Sequence, residues 1–535
     1  MSVAVATLEP VTENTPPAPE ALADPAFDDR AVAGSAADVA TGGAGGTAGA
    51  AVGAAPDAAP DHTRRNNRVI WLLLSATFVV ILNETIMSVA IPKLMDDLRI
   101  DALAAQWLST AFMLTMAVVI PITGFLLQRF STRSIFIAAM SLFSLGTLAA
   151  ALAPGFGLLV VARVIQASGT AIMIPLLMTT LMTLVPPNKR GRTMGNVSIV
   201  ISVAPAIGPT ISGFILNYLD WRWIFLIVLP IAVVMLLIGI KFVENVTDPQ
   251  KVKVDVLSVI LSAFGFGGLL YGLSQTGASG PGSSPAAMWV SLAVGVVALA
   301  AFILRQLMLQ RRDSALLDLR TFRSPIFTVS IALMAISTAA MFGVIIVLPL
   351  YLQHVLGLDT LATGLLLLPG GLVMGLLAPF VGRIYDRFGP RVLVVPGAIL
   401  VSLALWGFTL ITEHTSQYLI LAGHVTLSIG LALMFTPLFT AGLGAVPPNL
   451  YSHGSAIVGT VQQVAGAAGT ALLVAIMSAH TASLVSAGTS VVSATAGGIR
   501  MAFLAAAIIS LFAVVGAFFI RKPADVIAPE GHVAH

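Results

Sequence analysis

GFLLQRFSTR at residues 124–133 and GRIYDRFGPR at residues 382–391 are two versions of one pattern: a glycine, a run ending in Arg-Phe, and a second arginine four residues after the first. They stand 258 residues apart. Two more pairs occur in the same order, SVAIPKLM around Pro92 with IVLPLYLQ around Pro349 and VPPN at 185–188 with VPPN at 446–449, at offsets of 257 and 261. Three nearly equal offsets are the mark of a duplicated unit, so the chain holds two copies of one set of elements.

Composition says what those elements are. Of 535 residues, 57% are hydrophobic and 10% charged, whereas soluble domains carry about a quarter charged residues. Apolar windows of about 20 residues, each enough to cross roughly 30 Å of hydrocarbon, recur from residue 69 to residue 520 and number about fourteen. The chain reads as an all-α polytopic membrane protein. Six helices fall in 67–243, two extra helices with a linker in 244–324, and six more in 325–522. The segment before each landmark is odd-numbered, so the copies are parallel repeats related by an axis along the membrane normal. Residues 1–66, rich in Ala, Gly, Pro and acids, read as a disordered tail, and 523–535 as a C-terminal tail. The first of these lacks the basic start and apolar core of a cleaved signal peptide.

Cysteine is absent, which excludes disulfides, zinc thiolate sites and thiol nucleophiles. No stretch between the spans is long enough for a separate catalytic domain, so an enzyme is not expected. Alternate loops carry most of the positive charge: Arg129 and Arg133; Lys189, Arg190 and Arg192; Lys241, Lys251 and Lys253; Arg305, Arg311, Arg312, Arg320 and Arg323; Arg383, Arg387 and Arg391. The other set holds only Lys93, Arg99, Arg222 and Arg500. The positive-inside bias makes the first set cytoplasmic, together with both termini. A basic balance distributed in this way reports membrane orientation, and nucleic acid is not an expected partner.

Several further stretches are distinctive: LNETIMSVAIP at 82–92, QWLSTAFMLTMAVVIPITG at 106–124, ARVIQASGTA at 162–171, APAIGPTISG at 204–213, WRWIFLIVLP at 221–230 and GTVQQVAGAAGTAL at 459–472. With the repeated loops, in this order and in these spans, the sequence resembles the major facilitator superfamily, in its fourteen-spanner drug:proton antiporter branch of multidrug and lincomycin-type exporters. The resemblance covers nearly the whole chain after residue 66. It implies the major facilitator fold and proton-coupled export by alternating access. Two positions depart from the pattern. Gln128 stands where the first gating loop normally has aspartate, while Asp386 is kept in the second, and Gln462 stands where an arginine is common. The first departure weakens the expectation of a charged latch in the N-terminal half.

Glu84 is an acid in an otherwise apolar span. A carboxyl group withdrawn from water takes up a proton more readily than one in water, and cationic cargo would favour its ionised form, so proton and cation would exclude one another. The resemblance also places an acid here in related exporters. The plainer alternative is that Glu84 reaches outer water, since Pro92 follows two turns later. Arg163, isolated in the fourth span, is expected to face the bundle interior and bond Gln166, backbone carbonyls or an acid. The resemblance links it to proton transfer; a structural anchor is the alternative.

Gly208, Pro209 and Gly213 permit close helix packing and a bend, and by resemblance form the antiporter motif that seals the N-terminal half. Also by resemblance, Gly382, Asp386, Arg387, Gly389 and Arg391 form one gating loop, and Gly124, Arg129 and Arg133 its decayed copy. Met87, Phe112, Met113, Met173, Phe342 and Gln463 are candidate cavity lining, because methionine and aromatic side chains adapt to varied cargo. Trp221, Arg222 and Trp223 read as an aromatic belt at the outer boundary, and His424 as either a helix–helix hydrogen bond or a proton relay.

The expected function is proton-coupled antiport of hydrophobic or cationic drugs across a bacterial inner membrane. The expected partners are amphipathic or cationic small molecules and lipid, the unit a monomer, and the proton the only coupling species, with no cofactor. No ATP-binding glycine-lysine loop is present to power a primary pump. The alternative is a dedicated exporter of one endogenous metabolite or antibiotic. A channel or membrane enzyme fits less well, since the first needs no glycine-rich rocking repeat and the second would cluster His or acidic residues at one face.

Overall fold

The computed structural model describes residues 62–523 apart from 101, 247–248, 250–254 and 276–284. The expected tails fall almost wholly outside the described residues. Among the described residues fourteen helices are long and apolar enough to cross a membrane. The first set is α1 (His62–Leu98), α2 (Ala102–Arg129), α3 (Thr132–Ala151), α4 (Phe156–Leu184), α5 (Arg190–Tyr218) and α6 (Arg222–Phe242). Two more follow, α7 (Val256–Ser274) and α8 (Pro285–Leu309). The last set is α9 (Pro325–His354), α10 (Thr360–Phe388), α11 (Arg391–Phe408), α12 (Gln417–Gly444), α13 (Tyr451–Ser486) and α14 (Val491–Ala517).

The duplication is visible in small details. Each VPPN motif leads into a short 3-10 turn, Pro187–Lys189 before α5 and Pro448–Leu450 before α13. Each Gly-to-Arg motif ends a helix, α2 in one copy and α10 in the other. Gly389 closes α10 with φ of 80°, a left-handed conformation open to glycine without a Cβ clash. An even number of spans brings the start of α1 and the end of α14 to one face, called here the terminal face. Arg65 pairs with Glu244 after α6 on that face, at 3.4 Å, and Pro523 lies against Gly444 at the end of α12.

Helices α1–α6 and α9–α14 each pack as a bundle, and the two bundles meet along two seams, α5 with α10 and α2 with α13. Those seams are equivalent under the repeat. Helix α7 packs on both α2 and α13, so the inserted hairpin leans across the second seam. Its contacts include Trp107 against Tyr271, with ring centres 5.8 Å apart. Helix α8 buries only a narrow stripe, Gly295, Ala298, Phe302 and Gln306, and leaves the rest to lipid.

Near the terminal face the hairpin is closed by a polar clasp. Arg305 grips both oxygens of Asp255 at 2.6 Å each, and Ser258 donates to the same carboxylate. Gln306, fully buried, donates to Ser258 at 2.7 Å and accepts from the amides of Leu316 and Leu317. These bonds turn the chain after α8 back under the bundle, where Leu316, Leu317 and Asp318 are buried.

One reading of the sequence is corrected here. Trp221 is not an interfacial anchor: it is fully buried, edge-on to Phe225, with Arg222 stacked over it at 4.3 Å. Trp223, two residues on, is exposed as a belt residue should be. A helix turns by about 100° per residue, so side chains two positions apart point to nearly opposite sides and the two tryptophans do not share one environment.

The Asp255 clasp has a defined pH range. Hydrogen bonds from Arg305, above all, hold the Asp255 carboxyl down at about 2, against an ordinary value of 3.8. A depressed folded value means that the stabilisation is complete above the unfolded value and is lost as pH falls through about 2. Asp255→Asn should therefore cost about 1 kcal/mol at neutral pH. In thermal melts of the purified protein, the gap between variant and native chain should close as pH drops from about 4 to about 2.

Candidate functional site

The halves are sealed toward the terminal face by backbone contact. At the α5–α10 seam a Cβ on Gly382 would lie 2.1 Å from the carbonyl oxygen of Gly191, so only glycine permits this approach. Asp386, on the last turn of α10, accepts from the amides of Gly191 and Arg192 at 2.7 and 2.8 Å. Those amides belong to the first turn of α5, which has no intrahelical acceptor for them, and the positive end of the helix dipole favours the carboxylate. Farther along, Gly195 meets Ala378 and Pro379, Ser198 bonds Thr436 at 2.7 Å, and Gly375 meets Val203. From Gly191 to Val203 the seal runs about 18 Å at 1.5 Å per residue.

The α2–α13 seam is the same construction with different chemistry. Gly124 faces His453 and Ala456, and Ile120 faces Gly459. Gln128, the counterpart of Asp386, donates to the carbonyl of Asn449 at 3.4 Å, a neutral bond in place of a charged one. Arg190 caps the end of α4 through the carbonyls of Met182 and Val185 and reaches Tyr451 of the other half at 3.2 Å. Thr179 and Ser455 bond at 3.2 Å.

Of the expected gating residues, Gly124, Gly382 and Asp386 join the halves. The arginines do not. Arg133 donates to Ile240 at the end of α6, at 2.6 Å, which is a brace inside its own half. Arg391 lies over Phe518 of α14, Arg387 over its neighbour Phe388, and Arg129 is exposed. Long cationic stems at a helix end reach water or nearby carbonyls more cheaply than they cross a tight seam. Gly389 shapes the turn after α10 and crosses no seam.

Beyond the seal the burial of the facing helices changes. On α2 the residues directed at α13 follow helical spacing, Gln128, Gly124, Ile120 and Ala117, and Met113 continues that face. Ile120 and Ala117 are buried, whereas Met113 is 43% exposed, so exposure along this face begins between Ala117 and Met113. On α13 the corresponding face runs from His453 and Gly459 to Gln463, which is half-buried. Phe342 on α9, set against Gly466, is also partly exposed.

Glu84 lies one helical turn past the end of the seal. Its neighbour Thr85 is clasped by α5 at Gly208, where a Cβ would come within 2.3 Å of the threonine hydroxyl, and that hydroxyl reaches the carbonyl of Ala204 at 3.4 Å. Glu84 sits deep among helices yet keeps accessible surface. Among the described residues it makes no hydrogen bond and no salt bridge, and the cation acting on it is Arg163. Arg163 is 2% exposed, donates to Gln166 at 2.6 Å and toward the carbonyl of Leu108 at 3.5 Å, and lies 4.0 Å from the centre of the Phe112 ring. Gln166 in turn donates to Thr147, and Thr147 to the carbonyl of Phe143. The guanidinium is thus fixed by neutral partners and the acid left unpaired.

Other expectations are revised by burial. Met87 and Met173 are 1% and 0% exposed inside the N-terminal bundle, and Phe112 is occupied as the platform for Arg163. None of the three presents surface to cargo in this conformation, because each is buried by its neighbours. Gly213 makes no close approach, since a Cβ there would meet open space. The Pro209 side chain lies outside the described residues. His424 meets the carbonyl of Leu367 and packs on Gly370, within the C-terminal half.

Three participants were not singled out from the sequence. Asn83, beside Glu84, is fully buried with neither amide atom partnered. His453 is 3% exposed, with Nδ1 unpartnered, and faces Leu316, Asp318 and Arg320 of the chain after α8. Gln128 was noticed only as a departure. The VPPN offset of 261 was the available signal for the pairing across the axis, because it makes Arg190 and Tyr451 equivalent positions.

The profile described as Major Facilitator Superfamily matches residues 73–470. This chain belongs to the major facilitator superfamily. As a major facilitator transporter it is not an enzyme, and it is related to drug-resistance exporters. It is 44% identical over 460 residues to lincomycin resistance protein LmrB of Listeria monocytogenes, covering 85% of this chain and 96% of that protein. It is likewise 44% identical over 455 residues to the uncharacterized MFS-type transporter YcnB of Bacillus subtilis, covering 85% and 95%. Among solved structures, the human organic anion transporter MFSD10 superposes with a TM-score of 0.60 over 84% of this chain and 99% of that one. At 13% identity that likeness speaks for the fold alone.

The natural absence of cysteine makes the seal directly testable. Ser198→Cys with Thr436→Cys should cross-link under mild oxidation and join the two halves, read as a gel shift after proteolysis of the loop between them. Absence of the cross-link would mean that this closed seam is not populated in the membrane.

Proposed function

We propose that the protein exports hydrophobic or cationic drugs, compounds of the lincomycin-resistance class among them, in exchange for protons across a bacterial inner membrane. Both termini lie in the cytoplasm in this reading, because the terminal face carries the arginine-rich loops. The conformation described is then closed inside and open outside. The observation that carries the proposal is Glu84: an unpaired acid, next to a guanidinium fixed by neutral partners, just past the end of a closed seal and with surface still accessible.

An acid so placed can hold a proton from outside or balance a cationic cargo, but it gains little from both at once. Arg163 stays within electrostatic reach and steadies the ionised form, and its Gln166 and Phe112 contacts keep it from collapsing into a permanent ion pair. Opening the other side requires the Asp386 latch to release α5, breaking two charged hydrogen bonds each worth about 1.5–3 kcal/mol. The electrical part of the proton gradient supplies about 2.3 kcal/mol per charge per 100 mV, which is of the same size as one of them. In this reading Gly208 holds α1 against α5 so that the acid stays at the floor of the opening, and a single chain suffices for the cycle.

In inverted vesicles, a pH gradient should drive uptake of lincomycin or a cationic dye by the native protein. Glu84→Gln should abolish the gradient-driven component while leaving energy-independent binding within a fewfold. Full coupling in that variant would overturn the proposal. Gly208→Val should lower coupled uptake at least about tenfold by pushing Thr85 and α1 away, with total expression unchanged. Native rates in Gly208→Val would show that close packing at this point does not matter.

A further inference from the structure

A cavity of about 400 Å³ opens at the terminal face between the end of α8 and the turn before α9, lined by Leu307, Gln310, Arg311, Asp313, Arg320 and Arg323. Three arginines stand against one aspartate. Arg320 is already committed, to Asp318 at 2.5 Å and Asp313 at 2.6 Å. Arg311 and Arg323 are exposed and make no ion pair or hydrogen bond among the described residues. Gln310 keeps its Oε1 buried without a donor. Neighbouring residues in the chain present exposed apolar surface: Leu304 and Met308 on α8 and Phe322 after it are 58%, 66% and 38% exposed.

We propose that this cavity binds the headgroup of an anionic phospholipid bearing a hydroxyl, of the phosphatidylglycerol type. Arg311 and Arg323 grip the phosphate, since free guanidiniums at a membrane boundary match phosphate oxygens in geometry and charge. The headgroup hydroxyl supplies the donor that Gln310 lacks. The acyl chains run over the exposed apolar side chains Leu304 and Met308 of α8 and Phe322 of the turn before α9. Basic pockets between helices at the positively charged face are suited to such headgroups.

The cavity also adjoins the alternating-access machinery. Its wall, Asp313 to Arg323, is the segment that carries Asp318 and Arg320 to His453 at the α2–α13 seam. A bound lipid would steady that segment without touching cargo or Glu84. The inference is independent of the transport reading: the site would bind lipid whether or not the protein exchanges protons.

The test is native mass spectrometry of the full chain released from nanodiscs containing equal phosphatidylglycerol and phosphatidylcholine. The native protein should retain one phosphatidylglycerol at least about tenfold over phosphatidylcholine, and Arg311→Gln with Arg323→Gln should bring that ratio to near unity. Arg311→Lys with Arg323→Lys should keep part of the preference, which a merely structural role would not produce. Inorganic phosphate at millimolar concentration should fail to displace the lipid. Equal retention of both lipids by the native protein, or an unchanged ratio in the glutamine variant, would overturn the proposal. Displacement by inorganic phosphate would overturn it too, making the cavity a free-phosphate site. If the double glutamine variant does not fold, the native ratio and Arg323→Gln alone decide.

Discussion

Asp386 ties the last turn of α10 to the first amides of α5, and that bond can form only because Gly382 and Gly191 let two backbones touch. Everything beyond follows from where this contact stops. Along the seam small and hydroxylated residues carry the seal about 18 Å into the protein, and Glu84 lies about one turn past Val203, beside the Thr85 contact with α5. A bulkier residue at either glycine would separate the helices before the carboxylate reached its donors. The latch is therefore a property of packing as much as of charge.

The two seams show how a duplicated unit becomes directional. Gene duplication would make α2–α13 a copy of α5–α10, with an acid on the end of α2. Gln128 and His453 have replaced the charged latch, and the segment after α8 has moved in beneath them. The inserted hairpin is thus no passive spacer: through Gln306, Asp255 and Arg305 it delivers a buried, hydrogen-bonded strap to the weaker of the two seams. A seam of neutral bonds opens at lower electrostatic cost, and a strap that must be carried along limits how far it opens.

Within the N-terminal half the polar groups are distributed unevenly. The cation is desolvated but fully occupied, by Gln166, by the carbonyl of Leu108 and by the Phe112 ring. The anion is partly accessible and unoccupied. A direct ion pair would be stable and inert; separation leaves the acid responsive to whatever enters the opening. The cost appears in the neighbouring buried groups without partners, Asn83 among them.

The sequence by itself determined the number of spans, the duplication and its parallel sense and the two inserted helices, and it marked Glu84 and Asp386 as isolated acids. These are matters of hydropathy, offset and isolated charge, which are local or periodic along the chain and need no knowledge of what lies opposite. Only the tertiary structure decided where each side chain goes: Met113 is exposed and Met87 buried, Trp223 is exposed and Trp221 buried, and Asp386 rather than Arg387 joins the two halves. In an almost wholly apolar chain every helix face looks alike, so burial against a neighbour and burial against lipid leave the same trace in sequence. The roles of His453, Gln128 and the segment after α8 were hidden for a further reason. Their partners lie more than a hundred residues away in the chain, and only closure of the two halves brings them within bonding distance.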